Sequence, residues 1–298
     1  MSSTAKGSVT VFLGALLWGM VSLFVTPLSE GGLDSMQIAL IRVFMAAVVL
    51  TVATLIIDRS LFRFELKNLG LLMLNGLICG AVFNIFYFQT IIHSEASVAA
   101  MLLYTSPIFV MVLARIIFKE PITGRKILMM AMTVVGCVFV AGFIGHGTHI
   151  PLTALFSGVA TGATYGVYTV LTRFNARRIH PLTVTLYIFI FGTLFMLPLG
   201  KPVETVRMLA SDHSLIPYAL LFGPICSSLA NWLFTWGIAQ IEANRAAILA
   251  ASEPLGACLV GMFIFHDSHE PLKLLGIALV LAAIILQGIE PRSADSRI

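Results

Sequence analysis

The apolar positions of this chain fall in long continuous runs, without the two-residue alternation of a half-buried strand. The runs cover residues 9–28, 36–57, 69–92, 96–118, 127–143, 152–171, 182–199, 215–239, 246–265 and 272–286. Most are about 17 to 25 residues long, the length a helix needs to cross a hydrocarbon core of roughly 30 Å at about 1.5 Å per residue. The connectors between them are too short to hold a soluble domain. A transmembrane β-barrel is excluded because its strands would alternate. The pattern predicts an all-α integral membrane protein with ten transmembrane helices.

Composition strengthens this reading. Of 298 residues, 58% are hydrophobic and 11% charged, with a mean hydropathy of +0.98, whereas a soluble domain carries roughly a quarter charged residues. With 18 Lys+Arg and 14 Asp+Glu, the chain cannot cover a soluble surface of its size, so its apolar residues must face lipid. Lys6 precedes the first run, but the run's length and the lack of a small-x-small cleavage site favour a retained helix over a signal peptide. Cys79, Cys137, Cys226 and Cys258 lie singly inside spans with no CxxC spacing, which predicts packing and neither a disulfide nor a zinc site.

The positions of the basic residues give orientation. With the N-terminus in the cytoplasm, 14 Lys and Arg fall on inner segments, and only Lys201, Arg207 and Lys273 on outer ones, with Arg42 left inside the second span. The positive-inside rule then predicts a multi-pass protein of the cell (inner or plasma) membrane, with residues 1–8 and 289–298 as short cytoplasmic tails. The pI near 9.0 reports topology and no nucleic-acid surface, because the basic residues are scattered over connectors.

At an offset of 147 residues the chain resembles itself. Gly76, Ile78, Cys79 and Asn84 fall on Gly223, Ile225, Cys226 and Asn231. Ile91, Glu95, Ala96, Ala99, Ala100, Leu102 and Pro107 fall on Ile238, Glu242, Ala243, Ala246, Ala247, Leu249 and Pro254, giving 11 identities in 32 positions. Lys126 also falls on Lys273, Glu120 on Asp267, and Trp18-Gly19 on Tyr165-Gly166. Five spans per half is an odd number, so the second copy must enter the membrane inverted. The fourth-to-fifth connector carries Lys119, Arg125 and Lys126, while its mate, residues 266–273, keeps only the last of these. Opposite charge bias in two copies predicts two inverted five-helix repeats, with a substrate site between them near the midplane.

These residues carry a family resemblance. Leu17-Trp18-Gly19 in the first helix, Arg42 in the second, Leu103-Tyr104-Thr105-Ser106-Pro107 and Phe118-Lys119-Glu120 in the fourth, and Ser252-Glu253-Pro254 in the ninth resemble the drug/metabolite transporter superfamily. The resemblance implies a ten-helix exporter of two EamA-type domains, residues 11–142 and 153–288. Tyr165-Gly166 stands where many second halves have a Trp-Ala pair, and Asp267 replaces the usual Glu.

Among the acidic residues only Glu253 sits well inside a span, eight residues from Arg245 and about 12 Å deep. A carboxylate at that depth is costly unless it faces a polar cavity, finds a partner or holds a proton. Glu253 is therefore the candidate proton, cation or substrate-amine site, with a protonated acid bonding a neighbouring helix as the structural alternative. Pro254 and Pro107 each remove a helix hydrogen bond, to the carbonyls of Ala250 and Leu103, and predict paired kinks where the helices line the crossing point. Trp18, Asn84, Tyr104, Tyr165, Tyr168 and Asn231 complete the candidate substrate-binding set. Tyr87, Ser227, Ser228 and Thr235 share helix faces with them, and interhelical glue is the alternative for each Asn and Thr. Arg42, nearer the outer end of its span, can snorkel outward or take a gating or substrate-carboxylate role. His266 to Glu270 resembles metal spacing only on paper, and no metal site is assigned.

No GxxxxGK[ST] occurs, and no cofactor is implied. A lone intramembrane acid, with all seven His at or beyond span ends, argues against an enzyme. The expected function is a secondary active transporter exporting small organic metabolites, amino acids, amines or amphipathic drugs, by alternating access. Its partners are a small-molecule substrate, the lipid bilayer and candidate protons; monomer and homodimer are equally compatible. The alternative is a lipid-linked carrier flippase or a non-transporting membrane partner subunit.

Overall fold

The computed structural model describes residues 3–94, 96–140, 150–264 and 271–288, and among them the chain is helical with no strand. Among the described residues, six helical stretches are long and apolar enough to cross a membrane: Ser3–Glu30, Ser35–Ile57, Leu66–His93, Val98–Phe118, Leu152–Ala176 and His213–Ile238. The protein is thus an all-α membrane protein. The remaining apolar runs are shorter or interrupted helices.

In chain order, α1 (Ser3–Gly19) and α2 (Ser22–Glu30) share the first stretch, and α3 (Ser35–Ile57) is the second. The third is α4 (Leu69–Leu77) and α5 (Phe83–His93), joined by a π-helical segment, Ile78–Val82. Next come α6 (Ala96–Leu103), α7 (Ser106–Phe118), α8 (Gly124–Val140), α9 (Leu152–Ala176), α10 (Pro181–Met196) and α11 (Pro202–Ser211). A second π-helical segment, Gly223–Leu229, joins α12 (Ile216–Phe222) to α13 (Ala230–Ile238). The last described helices are α14 (Ala243–Ala250), α15 (Glu253–Phe263) and α16 (Pro271–Gly288).

Helices from one half of the chain pack mainly on those of the other. α1 lies against α13, α14 and α15, and α9 against α5, α6 and α7. α10 packs on α3 and α4, and α8 on α16. Two close approaches demand glycine. A Cβ on Gly19 would collide with the Glu253 carbonyl oxygen, and one on Gly80 with the Cα of Gly192. Between helices in lipid, where apolar burial drives little, this closeness supplies the dispersion contact that holds the bundle.

Two features depart from the apolar pattern. Residues 202–211, expected as connector, form α11, with Val203 and Val206 exposed and Thr205 buried. Pro202 and Glu204 suit a helix's first turn, and Lys201 turns the chain into it with a left-handed backbone (φ 43°). The first run is split at residues 20–21, where Met20 and Val21 bond back only three residues, to Leu17 and Trp18.

The start of α3 is fixed by a capping box. The Asp34 carboxylate accepts from the backbone N–H groups of Met36 (3.0 Å) and Gln37 (2.9 Å), and Gln37 Oε1 accepts from the Asp34 N–H (2.8 Å). Lys201 Nζ reaches the same carboxylate at 3.0 Å. Burial pushes this carboxyl's pKa up, but the Gln37 N–H, the Lys201 ammonium and the Met36 N–H outweigh it and hold it below the usual range. Because the folded value is depressed, the stabilisation is complete above the unfolded value near pH 4 and disappears as pH falls through the folded one. Asp34→Ala is expected to cost about 1 kcal/mol at neutral pH. Unfolding midpoints of wild type and variant in detergent should converge as the pH is taken below about 4.

Candidate functional site

The site begins at two helix breaks. Neither Pro107 nor Pro254 can donate to the carbonyl four residues back, so α6 stops before Tyr104–Thr105 and α14 before Ala251–Ser252. At both breaks the backbone tightens to three-residue bonds, Thr105 N–H to Leu102 O and Ser252 N–H to Leu249 O, each 3.1 Å. The breaks are 147 residues apart, and the π-helical segments share that register, Ile78–Val82 falling on 225–229. After each break a new helix opens, α7 at Ser106 and α15 at Glu253, with its proline in the first turn, where a missing N–H costs nothing.

Between these elements lies a cavity of about 150 Å³. Its wall is aromatic on one side, with Trp18, Tyr165, Tyr168, Phe83 and Tyr87, and it also receives Arg42, Asn231, Ser227 and Glu253. Trp18 and Tyr165 meet edge-on at 6.2 Å, Tyr165 and Tyr168 at 5.9 Å, and Phe83 stacks on Tyr87 at 5.7 Å. Pairs of lining residues are again 147 apart: Trp18 with Tyr165, Val21 with Tyr168, Arg42 with Phe189.

The two asparagines fix the polar side in the same way. Asn84 Nδ2 donates to the Gly80 carbonyl (2.7 Å) and Asn231 Nδ2 to the Ser227 carbonyl (2.9 Å), both in a π-helical segment. Such segments leave backbone carbonyls poorly paired, and the amides answer them. Each asparagine oxygen is then free to accept, Asn231 from the Tyr168 hydroxyl (2.7 Å) and Asn84 from Arg42 Nη2 (3.4 Å).

This geometry corrects the outward-snorkelling option for Arg42. Its guanidinium lines the cavity and is tied to Asn84, because the asparagine oxygen offers it a partner inside the bundle. No ion pair within 4.0 Å joins Arg42 to Glu253, although both line the cavity, and Arg42 Nε has no partner.

Of the residues singled out from sequence, Trp18, Tyr165, Tyr168, Asn231 and Glu253 meet at this cavity. Asn84 stands behind Arg42 and does not line it. Tyr104 and Pro107 border a second chamber of about 20 Å³, which shares Leu103, Tyr165 and Glu253 with the first. Pro254 is buried and borders neither. Phe83 was not singled out, because one phenylalanine among 21 gives no signal; its four-residue spacing from Tyr87 was the available clue. Residues 266–270 and the Cys258 side chain lie outside what the structure describes.

Sequence reasoning also passed over a set of buried ion pairs at the end of the bundle where α7 and α9 finish. Arg173 pairs with Glu120, and its Nε donates to the Ile241 carbonyl at 2.8 Å. Glu120 also accepts from the backbone N–H groups of Ala243 (3.0 Å) and Asn244 (3.4 Å), capping α14 from the connector that follows α7. Lys126 Nζ reaches Glu242 Oε2 at 2.5 Å and the Pro121 carbonyl at 3.2 Å. Lys119 takes the left-handed conformation (φ 57°) that ends α7 just before Glu120. The repeat carried a signal here, since Glu120, Lys126 and Glu242 are all among its registered positions.

Comparison with known proteins agrees with this architecture. The family model of the EamA-like transporter family matches residues 5–142 and 152–288. The chain belongs to this family. An uncharacterized transporter of Archaeoglobus fulgidus is 27% identical over 94% of this chain and 95% of its own length. The uncharacterized inner membrane transporter YicL of Salmonella typhimurium is 26% identical over 98% of each chain. A probable terminal-alkyne amino-acid exporter of Streptantibioticus cattleyicolor is 25% identical over 92% of this chain and 93% of its own. A solved crystal structure superposes with a TM-score of 0.78 at 15% identity, covering 95% of this chain and 96% of that one, and shares the fold. The protein is a membrane-spanning transporter-family member.

The ion pairs at the end of α7 and α9 differ in burial, and their contributions should differ accordingly. Glu120→Gln leaves Arg173, 4% exposed, without its paired carboxylate and is expected to cost about 3 kcal/mol. Glu242→Gln takes the carboxylate from Lys126, whose side chain is 4% exposed, but Glu242 is itself 29% exposed and Lys126 keeps its bond to the Pro121 carbonyl, so the expected cost is smaller, about 2 kcal/mol. Unfolding of the detergent-purified variants measures both. Replacing Glu120 and Arg173 together by Met should recover most of the larger loss.

Proposed function

We propose that this transporter moves a small zwitterionic metabolite of the amino-acid class by alternating access, outward across the cell membrane. One observation carries the reading: a guanidinium and a carboxylate, Arg42 and Glu253, line one interior cavity without pairing with each other. Uncompensated opposite charges are costly inside a bundle. A solute carrying its own carboxylate and ammonium would answer both, the carboxylate toward Arg42 and the ammonium toward Glu253. Trp18, Tyr165, Tyr168 and Phe83 would receive its side chain. A cavity of about 150 Å³ suits a small solute, since an engineered void of roughly that size holds benzene.

Several observations support the transport cycle. Helix breaks, π-helical segments and lining residues recur at 147 residues, which favours two inverted repeats, 11–142 and 153–288, that exchange packings about the cavity. The basic bias of the connectors favours cytoplasmic termini, so the buried ion pairs of Glu120, Arg173, Lys126 and Glu242 would close the cytoplasmic end. Outward direction rests on the relative named an amino-acid exporter. With no nucleotide-binding motif, a proton or solute gradient is the driver. A flippase would need a basic head-group pocket, and Arg42 is the cavity's one basic lining residue among those described.

Substrate-induced thermal shifts and counterflow in liposomes test this. Arg42→Gln is expected to weaken amino-acid binding about 10- to 100-fold, the loss of one charge-assisted contact, while sparing the corresponding decarboxylated amine. Glu253→Gln should weaken amino acid and amine alike. Equal response of both ligands to Arg42→Gln would remove the zwitterion reading. Orientation is checked in a cysteine-free background: single cysteines at Ser94 and Ser268 should label from outside and one at Thr123 from inside. Labelling of all three from one side would sink the inverted arrangement.

A further inference from the structure

The smaller chamber behind Glu253 is not needed to hold the solute, yet it is where the two helix breaks meet. Both helix breaks border it: Leu103, Tyr104, Ser106 and Pro107 from one, Ala250, Ala251 and Glu253 from the other. Leu103 and Ala250 are the residues whose carbonyls lose their helix donors to Pro107 and Pro254. Two hydroxyls there have no hydrogen-bond partner, Thr133 Oγ1 on α8 and Tyr165 OH on α9. Thr133 is 0% exposed, so its unpaired hydroxyl has no access to bulk water.

A buried hydroxyl without a partner costs about 1 to 3 kcal/mol unless something occupies the space beside it. Unwound carbonyls, hydroxyls and one carboxylate supply oxygen donors, and Cys137 is the one sulfur on the wall; a thiol is a weak ligand beside a carboxylate, so the set suits a hard cation. Size and charge narrow the occupant. About 20 Å³ admits one water-sized particle, and the single carboxylate balances one positive charge. Calcium takes six to eight oxygen ligands and magnesium keeps several waters, so neither fits. At each break the end of one half-helix abuts the start of the next, so opposed helix dipoles leave the carboxylate as the main field.

We propose that this chamber is a binding site for one small monovalent cation, sodium or hydronium, held by Glu253, Thr133 and the carbonyls freed at the two breaks. Glu253 borders both chambers, so the cation and the solute's ammonium compete for one carboxylate. Such competition is what couples the outward step of one to the inward step of the other. The proposal rests on the reading of the larger cavity as the solute site, and it adds the coupling ion. Beside Glu253, the titratable groups bordering the chamber are Tyr104, Cys137 and Tyr165, with Arg42 across the larger cavity.

The unfolding midpoint of purified protein, at constant ionic strength, tests this with sodium chloride against choline chloride at fixed pH, and with a pH series in choline chloride. Sodium occupancy predicts a saturable rise in Tm of at least about 3 °C in sodium chloride. Hydronium occupancy predicts a rise of that size as pH falls, without sodium. Thr133→Val should abolish whichever response appears, Thr133→Ser should keep it, and their own midpoints report folding. If wild type responds to neither, or Thr133→Val responds as wild type does, the chamber holds water and the proposal fails. The solute reading is judged apart, by the amino-acid shift of wild type in choline chloride at fixed pH. Its absence would remove the zwitterion site and leave the cation measurement standing.

Discussion

Inside a bilayer there is no water to accept a backbone carbonyl that has lost its partner, so a helix can be interrupted only where protein or an interior cavity answers the freed group. The form of this molecule follows from that constraint. Its breaks at 104–105 and 251–252 and its two π-helical segments all turn toward the interior, and the side chains there do the answering. Asn84 and Asn231 return their amides to π-segment carbonyls, and the asparagine oxygens that remain become the anchor points for Arg42 and Tyr168. A backbone repair thus becomes the polar wall of the cavity.

The same lack of water sorts the charges. Arg173, Glu120 and Lys126 are 4, 7 and 3% exposed, and each is paired, because a lone buried charge would be prohibitive. Arg42 and Glu253 are the exceptions, sharing a cavity without closing on each other. Close backbone approaches at Gly19 and Gly80 set the spacing of the helices around them, and the two charges, unpaired with each other, stay open to a ligand.

Repetition at 147 residues supplies the frame, and departures from it supply the chemistry. Trp18 and Tyr165 are equivalent positions that both line the cavity, and Asn84 and Asn231 are equivalent positions that both return an amide to a π-segment carbonyl. Glu253, in contrast, stands opposite Ser106, and Arg42 opposite Phe189. Each interior charge occurs in one copy only, Arg42 in the first and Glu253 in the second. A duplicated scaffold built the space, and two unmatched substitutions gave it polarity.

Much of this was legible in the order of residues alone. Continuous apolar runs determined an all-helical membrane chain, since only a helix satisfies its own backbone in lipid. The prolines marked where helices would break, and a single carboxylate inside a span marked the cavity through its desolvation cost. Tertiary structure decided the rest. Whether Arg42 reaches the headgroups or the interior depends on Asn84, some forty residues away on another helix, and one-dimensional spacing cannot report that contact. The pairing of Glu120 with Arg173 and the union of two breaks around one chamber likewise depend on which helices meet. Hydrophobicity fixes what each segment is, because transfer to lipid acts residue by residue. Who faces whom is fixed by packing between helices, which the close approach of glycine backbones settles only once the bundle has formed.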